Sequence, residues 1–414
     1  MTTSDTRSIP VPPASHPDTT SISLAGTAGT TPTPTRGSWL GVASLGLGVF
    51  ALVMGEFLPA SLLSRIAGDL GVSEGLAGQS VTVTAIVAAI AGIGLPVLLP
   101  RLDRRIVMLG LTALAIASDL LVALAPNYPV LLAARILLGI AIGGFWALSL
   151  AMTAQLVPSH HLGRAMTVVN TGVSLATVAA IPLGTFLGEI WGWRWVFVLA
   201  AGIGAVALLV QIVVLPSVAP SGAPGFRALG STLQSRLVLL GLVAVALIAG
   251  GHFTGFTYIR PAAESIGGLD ATGLAMLLLV YGVAAFAGNL ISGPLADRWL
   301  RGAVLVFPVA MGAGMAVFAL GGGSAGSTIA SVALWGLAFG GIPTLLQTWM
   351  ARAEPERLES VGGLVVATFQ VAIAVGAVVG GVLVDAVGVH TALVVGGIAG
   401  IAGGVLLSSL RRRA

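Results

Sequence analysis

Two short stretches decide the fold: LLGIAIGG at residues 137–144 and LWGLAFGG at residues 334–341. They align with an offset of 197 residues. A second pair, GTFLGEIWGWR at 184–194 and GGVLVDAVGVH at 380–390, aligns with an offset of 196. Self-similarity at one nearly constant offset is the signature of an internal repeat. The sequence therefore predicts two related halves.

The composition places both halves in a membrane. Of the 414 residues 56% are hydrophobic and 8% are charged, which leaves too little polar surface to cover a soluble protein. From Trp39 onward, apolar segments of roughly 20 residues, enough to cross a ~30 Å hydrocarbon core, alternate with short polar links. The twelve segments lie near 39–63, 79–99, 106–125, 130–156, 164–188, 196–215, 237–260, 272–295, 302–321, 327–350, 360–384 and 390–409. The predicted fold is an all-α integral membrane protein with twelve transmembrane helices in two six-helix halves.

The longest polar link, near residues 216–236, separates six segments from six. The Ser-, Thr- and Pro-rich start can bury almost nothing and is predicted to be disordered. The predicted domains are a disordered cytoplasmic tail (1–38), an N-terminal six-helix half (39–216), a cytoplasmic linker (217–236), a C-terminal six-helix half (237–410) and a basic tail (411–414).

Arginine placement predicts the orientation, since all nineteen basic residues are arginines. Thirteen lie in the links and tail on one side of the membrane: Arg101, Arg104, Arg105, Arg164, Arg227, Arg236, Arg298, Arg301, Arg352, Arg357, Arg411, Arg412 and Arg413. The other side has Arg65, Arg194 and Arg260, with Arg135 at the membrane edge. The positive-inside rule then predicts that both termini are cytoplasmic.

Several classes of protein are excluded or disfavoured by what the sequence lacks. Without lysine there is no P-loop, and without cysteine there is no disulfide, thiolate nucleophile or Cys-type zinc site. The arginines follow the membrane links, so no nucleic-acid partner is expected, and neither is a metal or cofactor. Two six-helix halves are instead typical of secondary transporters, which bind a small molecule between the halves near the membrane midplane.

An acidic residue stands inside the first apolar segment, LGLGVFALVMGEFLPASLL (45–63). On a helical wheel Glu56 shares a face with Gly48, Gly55 and Pro59, and therefore points into the bundle. A central carboxyl costs about 2.5 to 3.5 kcal/mol in a membrane helix, so it should be paired or protonated. Switching between those two conditions would couple transport to protons; the alternative is a structural buried acid.

Two further embedded charges complete the predicted proton-coupling set of Glu56, Arg135 and Asp119. ARILLGIAIGGFWALS (134–149) resembles the fourth-helix pattern of the major facilitator superfamily, in which Arg135 would exchange partners during proton transfer. An arginine that snorkels to the interface is the alternative. Asp119 ranks below Glu56 because its own helix has no small-residue face.

The link GPLADRWLRG (293–302) resembles the signature loop of the same superfamily. The resemblance implies that Asp297 caps or pairs with neighbouring helix ends and that the arginines hold the cytoplasmic side. The first-half copy, PRLDRR, lacks the leading glycine. A solvated charge cluster that only marks topology is the alternative. The predicted gating residues are Asp103, Arg104, Arg105, Asp297, Arg298 and Arg301.

Longer stretches carry a more specific resemblance. GEFLPASLL (55–63), DLGVSEGLAGQSVTVTA (69–85), IPLGTFLGEIWGWRWVF (181–197) and FTYIRP (256–261) are similar to the drug-proton antiporters of the major facilitator superfamily, and among these to the branch that exports purine ribonucleosides. The resemblance implies proton-coupled export by alternating access, by a monomer in the lipid bilayer of the bacterial inner membrane. A broad drug exporter or an arabinose-like sugar exporter is the alternative; a membrane sensor or a polytopic enzyme is disfavoured.

A nucleoside is a neutral ring joined to a ribose, so its site needs stacking aromatic rings and amide or hydroxyl partners. His252 could equally be a packed histidine. The candidate substrate-binding residues are Gln79, Thr82, Trp146, Asn170, His252, Tyr258, Asn289, Gln347 and Gln370.

Overall fold

The computed structural model describes residues 1–2, 38–220, 226–266, 269, 271–320 and 324–410. Its contacts separate residues 1–35 from residues 36–414, and the description below concerns the second unit. The predicted disordered tail from residue 3 to 37, part of the predicted linker and the basic tail 411–414 lie outside the described residues. Those predictions therefore stay predictions.

Every regular secondary-structure element of the described residues is a helix. The rest of the described chain consists of turns and connecting segments. The α-helices are α1 (Trp39–Ser61), α2 (Leu63–Leu70), α3 (Glu74–Leu98), α4 (Arg104–Ala123), α5 (Tyr128–Leu156), α6 (Leu162–Trp191), α7 (Trp193–Val214), α8 (Phe226–Gln234), α9 (Arg236–Phe256), α10 (Ile259–Ser265), α11 (Ala271–Leu320), α12 (Ala325–Ala353), α13 (Leu358–Val387) and α14 (Val389–Ser409).

Ten spans of the described chain are long and apolar enough to cross a membrane. The longest, Gly273–Leu320, contains non-helical dihedral angles at Trp299 (φ −143°, ψ 41°). A Cβ placed on Gly341 of α12 would meet Ser292 before this kink and Phe307 after it, so α11 doubles back and makes two passes. With the 30-residue α6, which is not among the ten, the structure is consistent with the twelve predicted passes.

Glycine packing repeats in the two halves. A Cβ on Gly139 or Gly143 of α5 would lie 2.7 Å from Thr84 O or 2.2 Å from Ala88 O of α3. In the second half, a Cβ added to Gly336 of α12 would lie 2.4 Å from Tyr281 O of α11, and one added to Gly340 would lie 1.9 Å from Ala285 O. All four residue pairs are related by the offset of 197 found in the sequence. Only glycine lets these backbones approach so closely.

Positive φ angles mark another repeated position. Gly192, between α6 and α7, has φ 79°, and Gly388, between α13 and α14, has φ 94°. Side chains with a Cβ rarely adopt this region, so glycine is required at both tight connections.

One end of the bundle carries most of the arginines. There the start of α1 lies beside the end of α5, because Ser38 N donates to Leu156 O at 2.9 Å, and the start of α4 lies beside the segment that follows α7, because Arg104 N donates to Val218 O at 2.9 Å. We call this the Arg-rich end. Its described arginines include Arg101, Arg104, Arg105, Arg164, Arg298, Arg301 and Arg352.

Candidate functional site

Arg135 is the most deeply buried charge of the first half. Its side chain is 0% exposed on α5, and its guanidinium donates from Nη1 to Gly55 O (2.8 Å) and from Nη2 to Glu56 O (3.3 Å) of α1. Its Nε has no partner in the described part of the protein. A snorkelling arginine would be exposed, so that alternative does not fit. Backbone carbonyls, not carboxylates, hold this cation.

Two carboxylates lie around the Arg135 cation. Asp119 of α4 is 3% exposed, and Glu56 is partly buried; both interact electrostatically with the guanidinium. The Asp119 carboxylate packs against Gly55, where an added Cβ would lie 2.8 Å from Oδ1. Asp119 Oδ1 has no hydrogen-bond partner among the described residues. Gly55 of α1 supplies the small-residue contact that α4 itself lacks. Asp119 therefore interacts with Arg135, which its ranking below Glu56 did not predict.

An uncharged polar layer joins the two halves. Asn289 of α11 donates to Thr167 O and to Thr171 Oγ1 of α6, both at 3.1 Å. Its Oδ1 accepts from Thr344 Oγ1 of α12 (3.1 Å), and Asn170 of α6 donates to the same Thr344 oxygen (2.9 Å). Two candidate substrate residues, Asn170 and Asn289, are therefore brought together through Thr344, which was not among the predicted site residues. We call these five residues the polar layer.

Three other candidates lie at the interface between the halves or one turn from the polar layer. Gln370 of α13 donates over a long 3.5 Å to Ala85 O of α3 in the other half. Gln347 is one turn after Thr344, and its Oε1 is buried without a partner in the described chain. Trp146 is partly buried. A Cβ added to Gly362 of α13 would lie 2.3 Å from the carbonyl oxygen of the next residue, Ala147, so Trp146 is next to a contact between the halves.

The remaining predicted polar candidates are not brought together with that group. Gln79 and Thr82 are exposed, on the same stripe of α3 as the exposed Ile86. The Tyr258 hydroxyl donates to Ala377 O at 2.9 Å, within the second half.

His252 is packed inside an aromatic cluster. It is 1% exposed, its ring lies 3.4 Å from that of Phe339 with the planes 8° apart, and its Nδ1 accepts from Trp335 Nε1 at 3.0 Å. The sequence left two possibilities for His252, and the geometry favours the packed one. Phe253 and Phe256 lie on the same helix as His252, whereas the rings of α11 and α12 reach it only through packing between helices, which the sequence does not show.

The predicted gating residues make two kinds of contact, and the first joins the halves. Arg104 of α4 binds Glu359 of α13 through Nε–Oε1 (2.6 Å) and Nη2–Oε2 (2.5 Å). Asp297 of α11 accepts from the backbone N–H groups of Gly163 (2.7 Å) and Arg164 (3.3 Å), the first turn of α6. Glu359 was missed, although an acid in the first turn of a helix is a recognisable signal.

The second kind of contact stays within one half. Asp103 accepts from the backbone N–H groups of Arg105 and Val218 and from the Ser217 hydroxyl. Burial acts to raise the pKa of Asp103, but these hydrogen bonds outweigh it and hold the pKa below its usual value. Arg105 Nη2 donates to Ile212 O, and Arg301 Nε donates to Ser408 O. Arg298 is exposed.

The bonds that join the halves all lie between the Arg-rich end and the middle of the bundle, within the chain that the structure describes. At the opposite end the ion pairs Arg65–Glu189 and Asp69–Arg194 connect helices of the first half only. The bundle is therefore closed at the Arg-rich end. In residues 38–220, 226–266, 271–320 and 324–410 no group of three His, Asp or Glu residues could hold a metal ion.

Comparison with known proteins agrees with this geometry. A sequence profile for the Major Facilitator Superfamily matches residues 45–361 and 268–414. The chain is 40% identical over 356 residues to "Transcription regulatory protein OpdE" of Pseudomonas aeruginosa, covering 85% of this chain and 89% of that protein. It is 38% identical over 365 residues to "Purine ribonucleoside efflux pump NepI" of Escherichia coli, covering 88% of this chain and 92% of that protein.

A similar fold occurs in a solved structure. The superfamily transporter FucP in the outward conformation superposes with a TM-score of 0.71 at 18% identity, covering 89% of this chain and 99% of FucP. The profile match spans most of the chain, and both named relatives align along nearly their whole length. The chain belongs to the major facilitator superfamily and is a multi-pass membrane transporter of small molecules, not an enzyme.

Proposed function

We propose that this transporter exports purine ribonucleosides in exchange for protons. The substrate class is supported by the 38% identical relatives named as purine ribonucleoside efflux pumps. It also agrees with the polar layer, whose amides and hydroxyls suit the hydroxyl groups of an uncharged ribose. Sugars and drugs of similar size remain the alternative substrates.

Proton coupling rests on one observation, the group formed by Arg135, Asp119 and Glu56. An ionised side chain inside a membrane protein is expensive and marks a functional position by default. Because the guanidinium is anchored by the carbonyls of Gly55 and Glu56, a carboxylate can gain or lose a proton without releasing Arg135. Asp119 and Glu56 are therefore the proposed proton carriers, and the Arg135 guanidinium interacts electrostatically with both carboxylates.

The predicted orientation assigns the two ends of the bundle to the two sides of the membrane. The positive-inside rule assigns the Arg-rich end and both termini to the cytoplasm, in the bacterial inner membrane. The closed Arg-rich end then corresponds to an outward-facing state. Export would begin when that end opens, the polar layer separates, and substrate enters from the cytoplasm; a single chain performs the cycle as a monomer. Trp146, Asn170, Asn289, Gln347 and Gln370 are the substrate-binding residues that we retain.

The test is uptake of radiolabelled inosine into everted membrane vesicles, with and without a proton gradient. Wild type should accumulate inosine only with the gradient. Asp119→Asn or Glu56→Gln should abolish accumulation while inosine exchange without a gradient persists. Glu189→Gln, which removes an exposed acid 63% accessible at the opposite end, is the matched control and should behave as wild type.

Each negative result has a distinct meaning. No inosine uptake by wild type would exclude the nucleoside assignment and direct the screen to sugars and drugs. Full coupling in both acid variants would mean that these carboxylates are structural and that the proton site lies elsewhere.

A second candidate is a regulatory role, favoured by the 40% identity to a protein named as a transcription regulator. If regulation is independent of transport, a transport-inactive Asp119→Asn chain will restore the transcript pattern of a deletion strain. If regulation is a consequence of export, only the wild-type chain will restore it.

A further inference from the structure

Several aromatic rings from different helices converge in the second half. Phe253 of α9, Phe339 of α12 and Phe369 of α13 are each partly buried. The Phe253 ring lies 6.1 Å from that of Phe339 and 6.4 Å from that of Phe369, at 88° and 86°. Edge-to-face contacts at these separations are favourable, so the three rings form one unit. We call it the Phe triad.

The triad lies at the level where the halves face each other. Gln370, the residue after Phe369, donates to Ala85 O of α3 in the first half. The rings come from three different helices of the second half, so they cannot belong to one helix face turned to lipid. Their partly exposed faces are therefore available to a molecule held between the halves.

Behind the triad the packing is tight. The His252 ring lies flat against Phe339, and Trp335 holds His252 by a hydrogen bond to Nδ1. With Nδ1 accepting a hydrogen bond, a neutral His252 carries its proton on Nε2. Phe339 is thus backed by a fixed ring, and a ligand would not need to order it.

An unpartnered polar group lies in the same cluster. Tyr281 is 8% exposed, its ring lies 4.9 Å from that of Phe256 and 5.8 Å from that of Trp335, and its hydroxyl oxygen is buried. That oxygen has no hydrogen-bond partner among the described residues.

We infer that the Phe triad is the subsite for the planar base of the substrate, and that the polar layer serves the ribose. This inference rests on the proposed function and divides the nucleoside between two subsites: the base stacks on rings of the second half, and the sugar contacts α6 of the first half and α11 and α12 of the second. A purine offers both a large π face for the rings and polar edge atoms for Gln370.

The experiment measures binding of radiolabelled inosine to the purified full-length protein by equilibrium dialysis. Phe253→Leu and Phe369→Leu keep an apolar side chain but lose the ring, and each should weaken inosine binding about 5- to 100-fold. Phe253→Tyr and Phe369→Tyr keep the ring and should stay within about threefold of wild type. Phe186→Leu, on an exposed face of α6, is the matched control and should not change the affinity.

Two additions separate the possible failures. Hypoxanthine, the free base of inosine, should compete for binding to wild type and should lose its competition in the leucine variants to the same extent. A leucine variant that elutes as an aggregate is replaced by Phe339→Leu, so that at least two ring deletions are measured on folded protein. If wild type binds inosine and the leucine variants bind it equally well, the base subsite is wrong while the proposed function stands. If wild type binds no inosine, the proposed substrate is wrong and the base subsite is overturned with it.

Discussion

Arg104 and Glu359 form a two-bonded ion pair that is almost completely buried, with the side chains 1% and 2% exposed. Arg104 begins α4 in the first half, and Glu359 lies in the first turn of α13 in the second. Arg104 also donates to Leu99 O at 2.6 Å. The pair therefore fastens the halves at the Arg-rich end.

Removing one member should open this end. Breaking a buried ion pair costs about 3 to 5 kcal/mol because the remaining charge is left uncompensated. We expect Glu359→Gln to shift the population toward the state open at the Arg-rich end. The chain has no cysteine, so Ala147→Cys, at a buried position facing Gly362, can report opening by its rate of maleimide labelling. The exposed pair at the opposite end supplies the control: Glu189→Gln should leave the rate unchanged. Equal rates in wild type and Glu359→Gln would contradict a fastening role.

The repeat-related acids Asp103 and Asp297 predict different outcomes for the same substitution. Asp297 accepts hydrogen bonds from α6 in the other half, whereas Asp103 accepts them only within its own half. Asp297→Asn should therefore speed labelling of Ala147→Cys, and Asp103→Asn should not. Loss of a helix-capping acid costs about 0.5 to 2 kcal/mol, so the labelling rate should increase by up to about thirtyfold. Identical labelling in the two variants would mean that Asp297 does not join the halves functionally.

Asp103 should also make stability depend on pH. Its pKa is below the value of about 3.9 for an unfolded chain, since hydrogen bonds from Ser217, Val218 and Arg105 outweigh burial. Its stabilising contribution is therefore complete above about pH 4 and is lost as the pH falls through the lower, folded value. In detergent, Tm of Asp103→Asn should fall less between pH 6 and pH 3 than Tm of wild type. Parallel Tm curves would show that Asp103 is not perturbed.

Thr344 and Thr153 allow a matched test of the polar layer. Thr344→Val keeps the shape but leaves Asn170 Nδ2 and Asn289 Oδ1 without their shared partner. Each unsatisfied buried group costs about 1 to 3 kcal/mol, so Tm should fall and inosine transport should weaken. The Thr153 hydroxyl is buried without a partner in the described chain, so Thr153→Val should be neutral or stabilising. Thermal unfolding of the two variants checks both signs; a neutral Thr344→Val would remove the argument for the layer.

Gly55 tests the contact with Asp119. A Cβ at Gly55 would lie 2.8 Å from Asp119 Oδ1 and 3.1 Å from Oδ2, so Gly55→Ala must displace the carboxylate. Gradient-driven inosine accumulation should fall about tenfold or more, as expected when a buried charge loses its position. Gly110→Ala, on the same helix as Asp119 but with open space at its Cβ, should keep full activity and gain slight stability. Unchanged accumulation in Gly55→Ala would argue against Asp119 as a carrier.

The fold was predictable because hydrophobic length and the repeat are properties of the sequence itself. The offset of 197 that relates Gly139 to Gly336 in sequence also relates the carbonyls that those glycines meet. The pair Gly192 and Gly388 was found in the same way, and the positive φ angles explain why both are glycine. The kink of α11 at Trp299 falls in the link between the segments predicted near 272–295 and 302–321.

The site was only partly predictable, since its residues meet through contacts between helices. Asn170 and Asn289 were expected as separate candidates, but the link through Thr344 needs the packing of α6 against α11 and α12. Glu359 was missed for the same reason: no local pattern names Arg104 as its partner. The roles of Gln79, Thr82 and Tyr258 stay predictions without support from their positions.

The two fastenings, Arg104 with Glu359 and Asp297 with α6, are separate points of attachment on one interface. Opening must release both in one event, so their energies add, and each 1.4 kcal/mol changes the ratio of closed to open molecules tenfold. Within the described chain, the ion pairs of the opposite end do not cross between the halves and so supply no counterweight. We therefore expect the unloaded transporter to populate mainly the state that is closed toward the cytoplasm and open to the side from which protons arrive. Before a proton binds, its binding site would then rarely be accessible to cytoplasmic substrate.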